Sequence, residues 1–274
     1  MDEALPSARA AHQARSARQF AKIAAAVRIV STAILLALGL RTIVVEPFNI
    51  PSESMLPTLL GGDYLFVAKW PYGFSRYSLP LAPPLFGGRV AGAVPRRGDV
   101  VVFKTPRDNR TDFIKRVIGL PGDRVRMTGG AIELNGIRVP KVRTADFVLP
   151  MAAGSTCHGD PSRVASGGLC RYPRYLETLD GRTYAVLDEY AGQPPDDTPL
   201  ITVPPGHYFV EGDNRDDSAD SRMTIAAGGV GMVPAENLIG RAEVIFFSTS
   251  GPVAGSQPAT WLATLRLNRI GTRL

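Results

Sequence analysis

The hydrophobic pattern divides the chain near residue 45. From residue 23 to residue 45 the apolar positions are nearly continuous, I-A-A-A-V-R-I-V-S-T-A-I-L-L-A-L-G-L-R-T-I-V-V. The charge-free part, residues 29–40, is short for a membrane span and would suit a signal-peptide core. As a helix, however, the whole stretch reaches roughly 34 Å. Arg28 and Arg41 lie near its ends, where their stems can carry the charge to water. No convincing small-x-small cleavage site follows before Glu46. The pattern therefore predicts a retained membrane anchor over residues 23–45 rather than a cleaved signal or a core helix.

Beyond the anchor the apolar runs are short and bounded by turn residues, which predicts strands. These cover residues 62–69, 98–103, 112–120, 184–187, 207–214 and 239–247. Around Asn135 and Gly136 the run I-E-L-N-G-I-R-V gives the strongest hairpin signal in the chain. Residues 141–200 are weakly patterned. Residues 70–90 combine aromatics, Pro and Gly and predict an extended loop or hairpin bearing apolar surface. The tail mixes Trp261 and leucines with arginines, so an interfacial segment and a short capping helix both fit it.

Composition supports this picture. Of 274 residues, 45% are hydrophobic and 20% charged, which allows a packed core and excludes wholesale disorder. With 28 Gly and 23 Pro the chain suits turn-rich β structure. The net charge is +6, and residues 1–28 hold five basic against two acidic side chains, or +3, so only +3 remains for the rest. No basic stripe appears there, which argues against a nucleic-acid partner. Basic residues before the anchor place the N-terminus in the cytoplasm and everything after residue 45 outside. For an exported portion, a disulfide between Cys157 and Cys170 is the natural expectation, with two free thiols the alternative. Three histidines without ligand spacing argue against a zinc site, and no metal is expected.

The candidate chemistry begins where the anchor ends. In F-N-I-P-S-E-S-M-L-P-T-L, Ser52 and Ser54 lie between Pro51 and Pro57. A serine hydroxyl is a weak nucleophile until a neighbour takes its proton. His158 and His207 are the ordinary candidates, but neither accompanies an orienting acid. The alternative is a lysine kept neutral by burial, and Lys115 in F-I-K-R-V-I is flanked by apolar residues on a predicted strand. Alone, a strand lysine is usually a solvated residue. Its company is unusual: P-S-E-S-M upstream and E-G-D-N-R-D-D-S-A-D-S-R at residues 211–222.

Together, F-N-I-P-S-E-S-M-L-P-T-L, R-G-D-V-V-V-F, F-I-K-R-V-I-G-L-P-G-D and G-D-N-R-D-D-S-A-D-S-R resemble the bacterial type I signal peptidases, in the right order behind an anchor. The resemblance implies a mainly β fold: an N-terminal transmembrane helix followed by an antiparallel β-sheet catalytic domain with an inserted smaller β-rich domain. Its expected boundaries are a cytoplasmic tail at 1–22, the anchor at 23–45 and a catalytic domain at 46–122 and 204–254. An apolar membrane-facing hairpin would occupy 70–95, an accessory domain 123–203 and the tail 255–274. It implies a serine endopeptidase that removes signal peptides from exported preproteins, cutting after Ala-x-Ala-like sites. Ser54 would be the nucleophile and Lys115 the general base. Ser52 and the Ser54 N–H would form the oxyanion hole. Ser218 would orient the lysine, with Asp220 and Arg222 as a supporting ion pair. Phe48, Ile50, Met55 and Ile114 would line small apolar pockets, and Glu53 would be solvated. No cofactor is implied. The implied partners are signal peptides, the phospholipid bilayer and the secretion machinery, and the implied location is the bacterial inner membrane with the catalytic domain on the periplasmic side.

Two departures stand out. Asp217 occupies a position where asparagine is common, and is expected to face solvent so that it does not hold a proton on Lys115. M-T-I-A-A-G-G lengthens the loop after Arg222. Two rival functions fit less of the chain. A self-cleaving repressor-type Ser-Lys protease shares the catalytic β domain but lacks an anchor. A non-catalytic anchored module binding envelope partners would reduce Ser54, Lys115 and G-D-N-R-D to turn chemistry.

Overall fold

The computed structural model describes residues 8–79, 82–84, 86–150, 157, 164–165, 168–250 and 264–274, without the side chains of 8–17, 37–38, 40–43 and 165. Residues 1–44 and 45–274 are separate compact units. The first is one helix, α1 (Ala8–Ile43), which starts well before the expected anchor. At 36 residues it is about 54 Å long. Its stretch Arg18–Leu36 has a mean hydropathy of 1.5, which is long and apolar enough to cross a membrane.

The second unit is built from antiparallel strands. In chain order they are β1 (Val45–Asn49), β2 (Asp63–Ala68), β3 (Val100–Lys104), β4 (Asp112–Gly119), β5 (Arg124–Thr128) and β6 (Ala131–Leu134). β7 (Ile137–Arg138), β8 (Lys141–Arg143), β9 (Phe147–Pro150), β10 (Val164–Ala165), β11 (Leu169–Tyr172) and β12 (Arg174–Leu179) follow. The last are β13 (Arg182–Leu187), β14 (Ile201–Thr202), β15 (His207–Glu211), β16 (Val233–Pro234) and β17 (Leu238–Ser248). The main sheet has the order β1-β2-β17-β3-β4-β15-β16, and three smaller sheets are β10-β11-β9, β13-β12-β8 and β14-β5-β6-β7.

The centre of the main sheet is covered on both faces. Val100, Val102 and Ile114 join one apolar cluster with Leu65 and Val67. Their neighbours Val101, Phe103 and Val117 join another with Tyr208 and Val210. This explains why V-V-V-F shows no polar alternation. Each such buried valine contributes about 1.5–3 kcal/mol. The hairpin at Asn135 and Gly136 forms as expected, with φ of 54° and 82° at the two turn positions, the left-handed pair that a two-residue loop requires.

The weakly patterned stretch folds into β8 to β13. Cys157 and Cys170 are joined there by a disulfide, with Cα atoms 5.3 Å apart. Both pack with Tyr172 and Leu187 on Leu56 and Leu60. Residues 70–95 are less open than an extended loop. Trp70, Val90 and Val94 are exposed, whereas Tyr72 and Tyr77 are buried. Phe74 bridges Val90, and Arg89 ties the segment down by donating to the Tyr72, Gly73 and Ala235 carbonyls at 2.8–3.0 Å. The tail, of which Trp261 lies outside the described residues, does not form the short capping helix over 264–274. It runs beside β17 through bridges Thr249–Leu265 and Val244–Arg273, with one turn of 3-10 helix at Leu267–Arg269.

Candidate active site

The two serines lie where β1 hands the chain to a tight turn before β2. Leu56 N–H donates to the Glu53 carbonyl at 3.0 Å and Leu59 N–H to Met55 at 2.9 Å, closing the turn. Met55, Leu56 and Leu59 are buried beneath it. The polar loop after β15 grips it from outside: Asn214 N–H donates to the Ser54 carbonyl at 3.1 Å and its side-chain amide to the Glu53 carbonyl at 3.3 Å. Close approach demands glycine at 212, where a Cβ would stand 2.3 Å from Ser218 Oγ and 2.5 Å from the Ser54 carbonyl oxygen. Arg269 closes the far side, donating to the Thr58 carbonyl at 2.9 Å and pairing with buried Asp63 at 2.5 Å.

Strand β4 brings the lysine. Lys115 Nζ lies 2.5 Å from Ser54 Oγ. Lys115 is only 3% exposed, and burial pushes its amine down to about 8, against the opposing charges of Asp220, Asp213 and Asp217. Among the described residues it has no salt bridge. Ser52 Oγ is 3.5 Å from Ser54 Oγ and exposed to solvent, and nothing among the described residues accepts from the Ser54 N–H. An amine that begins to lose its proton near pH 8, a hydroxyl within proton-transfer reach and unspent donors beside it can perform nucleophilic acyl transfer.

The cleft in front of this pair has a volume of about 370 Å³, and Phe48, Ile50 and Ile114 line it with Ser52, Ser54 and Lys115. Met55 does not line it. Its side chain is 1% exposed and packs in the core with Leu59 and Val100, because the turn points it inward. Val102, Thr111, Asp112, Phe113 and Ala219 also line the cleft. Val102 was within reach of sequence, since it pairs with Ile114 across β3 and β4.

Behind the pair lies a set of buried charges. Arg222 binds Asp220 at 2.8 and 2.9 Å, and although burial raises the Asp220 carboxyl, Arg222 brings it below its ordinary value. Ser218 is buried beside Asp220, whose carboxyl it helps to lower, and among the described residues its Oγ forms no hydrogen bond to Lys115. Asp217 is exposed. Arg116, missed by sequence, donates to both oxygens of Asp213 at 2.7 and 2.5 Å, and Thr58 Oγ1 donates to the same carboxylate at 2.5 Å. The inserted loop folds back, with Val230 N–H donating to the Asp220 carbonyl at 3.2 Å. Neither histidine joins the site: His207 Nδ1 is 3.0 Å from the Pro205 carbonyl, and His158 lies outside the described residues.

The family described as Signal peptidase, peptidase S26 matches residues 23–247. The signal peptidase I of Rickettsia conorii (strain Malish 7) is 36% identical over 262 residues, covering 86% of this chain and 88% of its own length. That of Rickettsia typhi (strain Wilmington) is 35% identical over 257 residues with the same coverage. A crystal structure of a signal peptidase I from Enterococcus faecalis V583 is 25% identical, covering 54% of this chain and 97% of its own, with a TM-score of 0.30.

Proposed function

Because the chain belongs to the peptidase S26 family of signal peptidases, and is thus a serine protease, we propose that it removes signal peptides from exported preproteins with Ser54 as nucleophile and Lys115 as general base. The observation that carries this assignment is the 2.5 Å approach of a buried lysine amine to the serine hydroxyl. A neutral Lys115 takes the Ser54 proton as Oγ attacks the carbonyl carbon of the scissile peptide. Negative charge then develops on the carbonyl oxygen, where the Ser54 N–H and the Ser52 hydroxyl can donate to it. Lys115 returns the proton to the leaving amine. It next takes a proton from water, which attacks the acyl-enzyme ester and frees Ser54. Asp220 and Arg222 support the loop behind the lysine, and Ser218 on the same loop is the residue to orient the amine.

The cleft sets the preference. Walls made by Phe48, Ile50 and Ile114 suit small apolar side chains, consistent with cleavage after Ala-x-Ala-like sequences. The apolar helix α1 would anchor the enzyme in the bacterial inner membrane, with the N-terminus in the cytoplasm and the catalytic unit on the periplasmic side, next to the secretion machinery. Exposed Trp70, Val90 and Val94 give residues 70–95 a surface for the bilayer.

The test uses detergent-solubilised full-length protein and a peptide whose signal ends in Ala-x-Ala. Wild type is expected to cut after the second alanine, with Ser54→Ala and Lys115→Ala folded but inactive. Retained activity in Lys115→Ala would remove the dyad. No cleavage by folded wild type would restore the non-catalytic module.

A further inference from the structure

The loop that supports the site contains a charge the proposed mechanism does not use. Glu211 ends β15 and is 1% exposed. It belongs to a buried group of three carboxylates, Glu177, Glu211 and Asp220, facing two guanidiniums, Arg215 and Arg222. The other two acids are fully served. Glu177 takes both of its bonds from Arg215, at 2.8 and 2.5 Å. Asp220 takes bonds from Arg222 and from Gly212 N–H at 3.1 Å. Glu211 has one contact with Arg215 at 3.3 Å and no hydrogen bond to either oxygen.

The surplus negative charge therefore has one natural address. A carboxylate out of water with one long ion-pair contact and no hydrogen bond costs far more than a neutral carboxyl in the same place. We propose that Glu211 carries a proton at neutral pH and, as the neutral member of this group, is a positioning residue that leaves Arg222 fully committed to Asp220 behind Lys115. This inference rests on Lys115 being the base.

The surroundings agree. Burial pushes the Glu211 carboxyl up to about 7, outweighing Arg215 and Arg222, with Asp220 and Glu177 pushing the same way. From β4, Arg116 stands opposite Glu211 and already holds Asp213, and from β13 Tyr184 lies against Arg116. Asp220 and Arg222 are both among the charges that act on Lys115. When Glu211 ionises it draws on Arg222 and Arg215, Asp220 is left less compensated, and Lys115 holds its proton more tightly.

The test is the pH profile of kcat/KM for full-length enzyme in detergent, with Glu211→Gln beside wild type. Glutamine cannot ionise, so above pH 7, where wild-type Glu211 loses its proton, the rising limb is expected to move acidward by about half a unit, giving at most about a threefold higher rate there, while the two profiles converge below pH 6. Superimposable limbs would overturn the positioning role while leaving the Ser54–Lys115 assignment intact. An active Lys115→Ala enzyme would instead remove the reading beneath it. Abolished activity in a folded Glu211→Gln enzyme would show that the ionised form is required, which also overturns the proposal. Glu211→Met is the second neutral variant and is expected to shift the limb in the same direction. Infrared spectra of wild type labelled with ¹³C-glutamate provide a readout independent of turnover. A protonated-carboxyl band that titrates away near pH 7 is expected, and its absence at pH 6 would overturn the proposal.

Discussion

Lys115 and Arg116 are adjacent on β4, both are cations and both are buried, yet the two faces of the strand treat them oppositely. Burial alone would lower both groups. Arg116 gains both oxygens of Asp213, the Gly98 carbonyl at 2.7 Å and the ring of Tyr184 at 4.1 Å, and its guanidinium ends above its ordinary value. Lys115 gains a serine hydroxyl and the ring of Phe113 at 5.7 Å, and its amine falls to about 8. Desolvation is common to the pair, so the partner decides the protonation state. One face fixes a charge for structure, and the other withholds a counter-ion so that a proton can leave.

The strongest way to break that contrast is Lys115→Arg. Arginine keeps its proton at any working pH, so a loss of about 10³–10⁴-fold in kcat is expected with the fold retained. Activity within tenfold of wild type would show that a neutral side chain is not needed there. On the other face, Arg116→Met leaves Asp213 buried without its cation. An unfolding free energy lower by about 3–5 kcal/mol is expected in denaturant titration. A loss below about 1 kcal/mol would mean that Thr58 and water suffice for Asp213.

Two smaller effects sharpen the comparison. With Lys115 at about 8, kcat/KM should fall nearly tenfold per pH unit below that value and level off above it. The sign for stability follows from the same group. Between about 8 and the ordinary 10.5 the unfolded chain binds more protons, so this lysine's contribution to stability rises with pH across that window. A flat rate between pH 6 and 9 would exclude Lys115 as the titrating group. The smallest effect belongs to Asp217→Asn. Asp217 is exposed and its charge raises Lys115. Screening by solvent limits the expected shift of the limb to a few tenths of a unit, toward acid. A shift toward base would mean that Asp217 acts through contacts rather than charge.

The sequence was most legible where local rules decide the outcome. Asn135 and Gly136 specify their turn by backbone freedom, and β3 and β4 were visible as apolar runs. The Ser54, Lys115 and 211–222 segments stood out as polar or reactive residues in apolar company. What stayed hidden depends on partners distant in the chain. Met55 sits beside Ser54 in sequence, but the turn sends it into the core rather than the cleft. Arg116 looked like an ordinary alternate residue until Asp213 arrived from β15's following loop. β8 to β12 lacked a clean period because their strands are short and several outward positions are apolar, as at Val142 and Leu176. The start of α1 was also hidden, since helix-forming residues continue far to the N-terminal side of the apolar run.

Arg269 introduces an order of events. The turn bearing Ser54 is closed by a cation from the far end of the described chain, through the Thr58 carbonyl and Asp63. A polypeptide made N-terminus first presents Ser54 early and its clasp late. Until Arg269 docks, Asp63 lacks its nearest cation and the turn is fastened on one side only. The geometry of the turn is therefore complete only after the chain has been made as far as that arginine.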